Sequence, residues 1–243
     1  MHRFFFSPEG IPGDTVVITE KQTLHHIRDV LRLKAKEKAV LVDGAGTEYL
    51  AELSEAGAEK AVFSVIRKQA ANKEKAVLVT VACAIPKKSK IDDVIDKLTQ
   101  IGIDRIIPLV SERVIVKLDK KTADNRLARW QKIAQAASQQ SQRSTVPAID
   151  PLIDIKQLIA KSEGFDLKLI PHLAGGRRPL KSVLKGVRPK SVLVLIGPEG
   201  DFTPAEVDQA LRAGFIPVSF GDFVLRVETA AVYIASILTY TAA

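Results

Sequence analysis

The hydrophobic rhythm of the chain changes near residue 72. Before that point the apolar runs are short, at 16–18, 39–42, 49–53 and 61–66, and Gly or charged clusters separate them, which is strand spacing. One segment among them, Leu24 to Leu33, repeats apolar residues at helical intervals. These features predict a small, mostly β domain over residues 1–72. Residues 69–75 are polar and weakly patterned, and beyond them buried strands alternate with helices. Strands are expected at about 76–85, 105–110, 167–171, 191–196 and 215–219, and helices at about 90–101, 123–141, 154–161 and 228–240. Such alternation predicts an α/β domain over residues 73–243 with a mostly parallel sheet covered by helices. Two helix starts carry cap signals: Ser89 with Asp92, and Thr203-Pro204-Ala205-Glu206, where Pro falls at the first helical position.

Composition narrows the class. At 243 residues, with 46% hydrophobic and 26% charged residues, the chain falls among soluble globular proteins rather than disordered or membrane ones. No apolar stretch approaches the roughly 18 residues of a spanning helix, and Phe4-Phe5-Phe6 is too short for a signal peptide, so a cytoplasmic location is expected. The net charge is +8. Residues 1–72 carry 10 basic and 10 acidic side chains, so the second domain supplies the whole excess. Much of it lies in 73–143 and 161–190, and the latter contains Gly175-Gly176-Arg177-Arg178, a flexible cationic loop suited to phosphates. A polyanionic partner fits this pattern, as does a merely solvated basic surface. The single cysteine, Cys83, lies in an apolar run and reads as a buried core thiol.

Motifs exclude several chemistries. The four histidines, His2, His25, His26 and His172, form no HExxH pair, and adjacent His25 and His26 diverge on a helix, so no metal site is expected. No G-x-S-x-G elbow, Walker loop or GxGxxG loop occurs. Two segments stand out instead. Leu193 to Ile196 runs into Gly197-Pro198-Glu199-Gly200 before the Thr203-capped helix, at the strand end where open α/β sheets bind ligands. Phe220-Gly221-Asp222-Phe223-Val224-Leu225-Arg226-Val227-Glu228-Thr229 links a strand to the apolar C-terminal helix. A plain strand-to-helix turn, and a Glu228 that only complements the helix N-terminus with Arg226 as its surface partner, are the simpler readings.

Together these two segments resemble the RsmE-type 16S rRNA (uridine-N3)-methyltransferases of the SPOUT class. The likeness extends over nearly the whole chain: His2 to Phe5, His25 to Leu33, Asp43 to Gly46, Lys97 to Pro108, Ser111 to Arg113, and Trp130 through Arg143 to Pro147 follow the family's order. The sequence departs from the usual pattern at Asp201, where a second Gly is commoner. It departs also at Phe223, where a basic residue is usual, at Val227, where Thr is usual, and at Gln139, where Glu is frequent.

The resemblance implies a PUA-like β-barrel that binds RNA, followed by a SPOUT methyltransferase domain with a trefoil knot, in a homodimer. It implies S-adenosyl-L-methionine held by Leu173, Gly175, Ile196, Gly197, Pro198, Glu199, Gly200, Phe220, Gly221, Val224 and Leu225. Arg226, Glu228 and Thr229 become the expected catalytic residues. RNA, as 16S rRNA or the assembled small subunit, is expected to meet Arg3, His25, His26, Arg28, Arg32, Arg143, Arg177 and Arg178. Two other readings stay open: methylation of a different RNA position by the same fold, and a non-catalytic RNA-binding factor of ribosome assembly.

Overall fold

The structure is a computed structural model that describes residues 1–6, 13–70, 75–86, 90–114, 120–173 and 175–242. It divides into two compact units, Met1–Glu74 with Ser138–Val146, and Lys75–Ala137 with Pro147–Ala243.

In the first unit, strands β1 (His2–Phe5), β2 (Thr15–Ile18), β3 (Lys38–Val42), β4 (Thr47–Ala56) and β5 (Ala61–Ala70) form a barrel-like sheet in the order β1-β3-β4-β5-β2. β1 and β3 pair in parallel, and the β3–β4, β4–β5 and β2–β5 pairs are antiparallel. Register shifts at Leu50/Ala51 and Leu53/Glu55 bend the long β4–β5 hairpin. Alternate residues, among them Val16, Ile18, Leu41, Ala51, Leu53 and Phe63, point inward onto Phe4, Leu24 and Ile27. The apolar pattern misses β1, whose four residues are too few to show a period. The expected helix over 24–33 starts and stops earlier: α1 (Lys21–His25) passes into a π-helical turn, His26–Val30, and Arg32 at φ 53° breaks the chain direction. Ser138–Val146 completes this unit: the Gly46 amide donates to the Ser144 carbonyl at 3.1 Å, and the Val146 amide donates to the Gly44 carbonyl at 3.1 Å.

In the second unit, β6 (Leu78–Ala84), β7 (Arg105–Val110), β8 (Ala148–Ile149), β10 (Leu167–Pro171), β11 (Arg178–Pro179), β12 (Ser191–Ile196) and β13 (Ile216–Ser219) lie in the order β11-β13-β10-β12-β6-β7-β8; β9 (Ile153–Asp154) also pairs with β7. Every pairing is parallel. Helices α2 (Lys90–Ile101), α4 (Ile155–Ala160), α5 (Leu180–Leu184), α6 (Pro204–Arg212) and α7 (Val227–Ala242) belong to the same unit, as does α3 (Lys120–Gln140) up to Ala137. Val192 to Ile196 of central β12 are buried, as in a strand covered on both faces. Leu193 and Leu195 pack with Leu158, Ile159, Val207 and Ala210 of α4 and α6, while α7 packs on β6, β12 and α2.

The Thr203 capping box forms as its sequence predicts: Thr203 Oγ1 accepts from the Glu206 amide, and the Glu206 carboxylate accepts from the Thr203 amide at 2.8 Å. Ser89 lies outside the described residues; the Asp92 carboxylate accepts from Arg129 and from Trp130 Nε1 at 3.1 Å. Among the described residues no helix is long and apolar enough to cross a membrane.

Candidate active site

Strands β10, β12 and β13 end side by side, and the loops that leave them enclose a cavity of about 330 Å³. That volume suits a small-molecule site, and the carboxyl edge of a parallel sheet is where such sites form. Its apolar wall is Ile196, Val218, Val224 and Leu225; its polar groups include Lys90, His172, Arg177, Asp201, Arg226 and Glu228. Gly197 is a close approach: a Cβ there would stand 3.2 Å from Asp201 Oδ1 and 3.3 Å from the Phe202 ring. Gly221, at φ +119°, turns the third loop in a conformation that side chains disfavour.

Of the residues expected to hold the cofactor, Leu173, Ile196, Gly197, Pro198, Glu199, Phe220, Gly221, Val224 and Leu225 line this cavity, and Gly175 and Gly200 do not. Gly200 instead gives its carbonyl to the Arg113 guanidinium. Phe220 is braced by Tyr233 of α7, with ring centroids 5.3 Å apart. Val224 is 71% exposed, so its side chain offers apolar surface for a ligand to cover.

Arg226 and Glu228 flank Val227, the first residue of α7. The Arg226 carbonyl accepts from the Ala230 amide at 2.8 Å, opening the helix, while its side chain borders the cavity. Glu228 accepts from Lys90 Nζ at 2.9 Å, so its ion-pair partner is Lys90. Its own backbone amide first, then the Lys90 ammonium, hold the Glu228 carboxyl below its ordinary value. It is a carboxylate at neutral pH. Thr229 points elsewhere, onto a shallow apolar groove with Ile101, Val232 and Ile237. Burial, aided by Arg177 and opposed by Asp201, lowers the His172 pKa, which keeps that imidazole neutral at pH 7. Cys83, at the end of β6, is fully buried; burial, with the charges of Glu199 and Glu228, pushes its thiol up to about 12.

The expected RNA contacts divide between the units. In the first, Arg3 is turned inward, donating to Glu48 at 2.7 Å and to Ser144 at 3.2 Å. His25 and Arg28 gather on Asp29, whose carboxyl is held at about 2, mainly by Arg28. His26 sets its ring edge-on to Phe4, Arg32 is exposed, and Arg143 reaches Thr145 at 3.4 Å. In the second unit, Arg177 and Arg178 are both exposed, and Arg177 also borders the cavity. Sequence reasoning did not select Lys90 or His172 for the site. A lysine in a lysine-rich tract and a lone histidine carry no local signature, and only the fold brings them to the cavity.

Residues 73–239 match a family described as an RNA methyltransferase domain, and residues 18–66 match an RNA methyltransferase PUA domain. The match over residues 73–239, more than half of the chain, makes this protein an RNA methyltransferase, and the cavity lies within that domain. The ribosomal RNA small subunit methyltransferase E of Bacillus subtilis is 30% identical, over 90% of this chain and 88% of that one. That of a Synechocystis species is 32% identical, over 94% of this chain and 74% of that one. The chain belongs to the ribosomal RNA small subunit methyltransferase E family. A crystal structure of the Neisseria gonorrhoeae member bound to S-adenosyl methionine superposes with a TM-score of 0.87 at 29% identity, covering 99% of this chain and 98% of that one.

Proposed function

We propose that this protein transfers a methyl group from S-adenosylmethionine to N3 of a uridine in 16S rRNA of the small ribosomal subunit. The observation that carries the reading is the cavity at the carboxyl edge of β10, β12 and β13, which joins an apolar wall to the Arg226 and Lys90–Glu228 charges. An adenosyl group suits Ile196, Val224 and Leu225 together with the backbone of the Gly197–Glu199 turn. When bound, S-adenosylmethionine supplies an electrophilic methyl group.

The nucleophile sets the demand on the protein. The N3 proton of uracil has a pKa about two to three units above neutrality, so forming the bare anion costs roughly 3–4 kcal/mol. Arg226 meets this by placing a guanidinium where negative charge develops on a uracil oxygen. Glu228, already ionised, accepts the N3 proton as the carbon–nitrogen bond forms, or orients Arg226; Lys90 fixes its carboxylate in either role.

The remaining features of the family follow in the same reading. Arg28, Arg32, Arg177, Arg178 and Arg143 contact the RNA backbone, and the loops around the cavity form a trefoil knot, a rare exception to unknotted chains. The groove along α7, with Tyr240 84% exposed beside Val232 and Ile237, is the face that a second copy covers in a cytoplasmic homodimer. The test is transfer of labelled methyl from S-adenosylmethionine to small subunits lacking modification and, separately, to free 16S rRNA. Label in either RNA is expected. A folded protein that binds S-adenosylmethionine yet labels neither refutes the enzyme reading in favour of an assembly factor.

A further inference from the structure

The Asp201 side chain joins two of the loops that border the cavity. Its Oδ2 accepts from the Leu173 amide at 2.7 Å, and its Oδ1 accepts from the Phe202 amide at 2.8 Å. The Asp201 amide itself donates to the Pro198 carbonyl at 2.9 Å, closing the turn that follows β12. One carboxylate therefore ties the backbone leaving β10 to the turn leaving β12, across 28 residues of sequence. Both Leu173 and Asp201 border the cavity. Asp201 holds φ +60°, a conformation that glycine takes freely and that Asp and Asn tolerate better than most residues. A glycine would fit this backbone and could not make the tie.

We propose that Asp201 is a positioning residue for the methyl donor: its carboxylate clips two walls of the cavity together before the ligand arrives. The proposal rests on the reading that S-adenosylmethionine occupies this cavity. A hydrogen bond to a charged acceptor is among the stronger ones in proteins. Without it the two loops sample arrangements that do not fit the ligand, and apparent affinity falls by the fraction of time the walls are apart.

The test compares wild type with Asp201→Gly, Asp201→Ala and Asp201→Asn by hydrogen exchange of the Leu173 amide in the ligand-free protein and by calorimetric titration of S-adenosylmethionine. Asp201→Gly keeps the turn's backbone conformation, so the loss of its two hydrogen bonds should lower the melting temperature by no more than about 5 °C and leave the protein folded. Its Leu173 amide should exchange freely, and it should bind S-adenosylmethionine about tenfold more weakly, which corresponds to about 1.4 kcal/mol. Asp201→Asn, with one acceptor oxygen and the same backbone tolerance, should restore most of the protection and affinity. Asp201→Ala should lose both. The proposal is overturned if the glycine variant keeps wild-type affinity, or if Leu173 exchanges equally fast in wild type and variant. If wild type keeps Leu173 protected but binds no S-adenosylmethionine, the cofactor reading fails and takes the ligand half of the proposal with it, while the clip stands.

Discussion

Replacing Glu206 probes how the turn beside the cavity is anchored. Glu206 is 2% exposed, and its carboxylate accepts from the Thr203 amide at 2.8 Å, from the Thr203 hydroxyl at 3.1 Å and from the Glu112 amide at 2.8 Å. Glu206→Ala strands the Thr203 amide in a buried place, at about 1–3 kcal/mol, and removes half of the capping box, at about 1 kcal/mol. The Glu112 amide lies at a more exposed residue and adds less, because water replaces the lost acceptor. Removing the carboxylate also cancels its own cost of burial, which keeps the expected loss to roughly 2–4 kcal/mol. For a chain of this length that is a fall of roughly 5–15 °C in melting temperature. Glu206→Gln keeps one acceptor oxygen but turns an amide group toward a donor, and should lose roughly 1–2 kcal/mol. Urea unfolding at pH 7, followed by the fluorescence of Trp130, which is buried in the same unit, measures both. A loss below about 1 kcal/mol for Glu206→Ala would show that the network does not anchor the turn.

Other expectations follow from the site. Arg226→Ala should lower methyl transfer about 100- to 1,000-fold while the affinity for S-adenosylmethionine, measured by titration, changes little. Lys90→Met should let the Glu228 carboxyl rise toward its ordinary value, so that the acid limb of the pH–rate profile moves to higher pH. The same pair links stability to pH: because folding lowers the Glu228 pKa, its contribution is present above the ordinary glutamate value and disappears as pH falls through the folded one, and Lys90→Met should shrink it in acid titrations followed by circular dichroism. Cys83, with its thiol at about 12 and no exposure, should resist a thiol reagent at pH 8 in the native protein and react once urea unfolds it.

Much of the second unit was legible because its strands are buried on both faces and read as continuous apolar runs. Val192 to Ile196 and Val79 to Ala84 announce themselves, and the Thr203–Glu206 spacing announces a helix. Strands β8, β9 and β11 do not, since two residues paired at a sheet edge leave no period to detect. The loops of the cavity were legible as glycine-bearing turns after strands. Lys90 was not, because its meaning comes from Glu228, 138 residues away. The same distance effect hid the return of Ser138–Val146 to the first unit and the inward turn of Arg3, which reads as a surface cation until Glu48 and Ser144 are placed around it.

One experiment identifies the atom that receives the methyl group. Purified protein, labelled S-adenosylmethionine and small ribosomal subunits lacking modification are incubated, the RNA is digested, and the labelled nucleoside is identified by mass. The expected product is 3-methyluridine, formed about 100- to 1,000-fold more slowly by Arg226→Ala. Label on a ribose 2′-oxygen or on another base would keep the fold and contradict the mechanism.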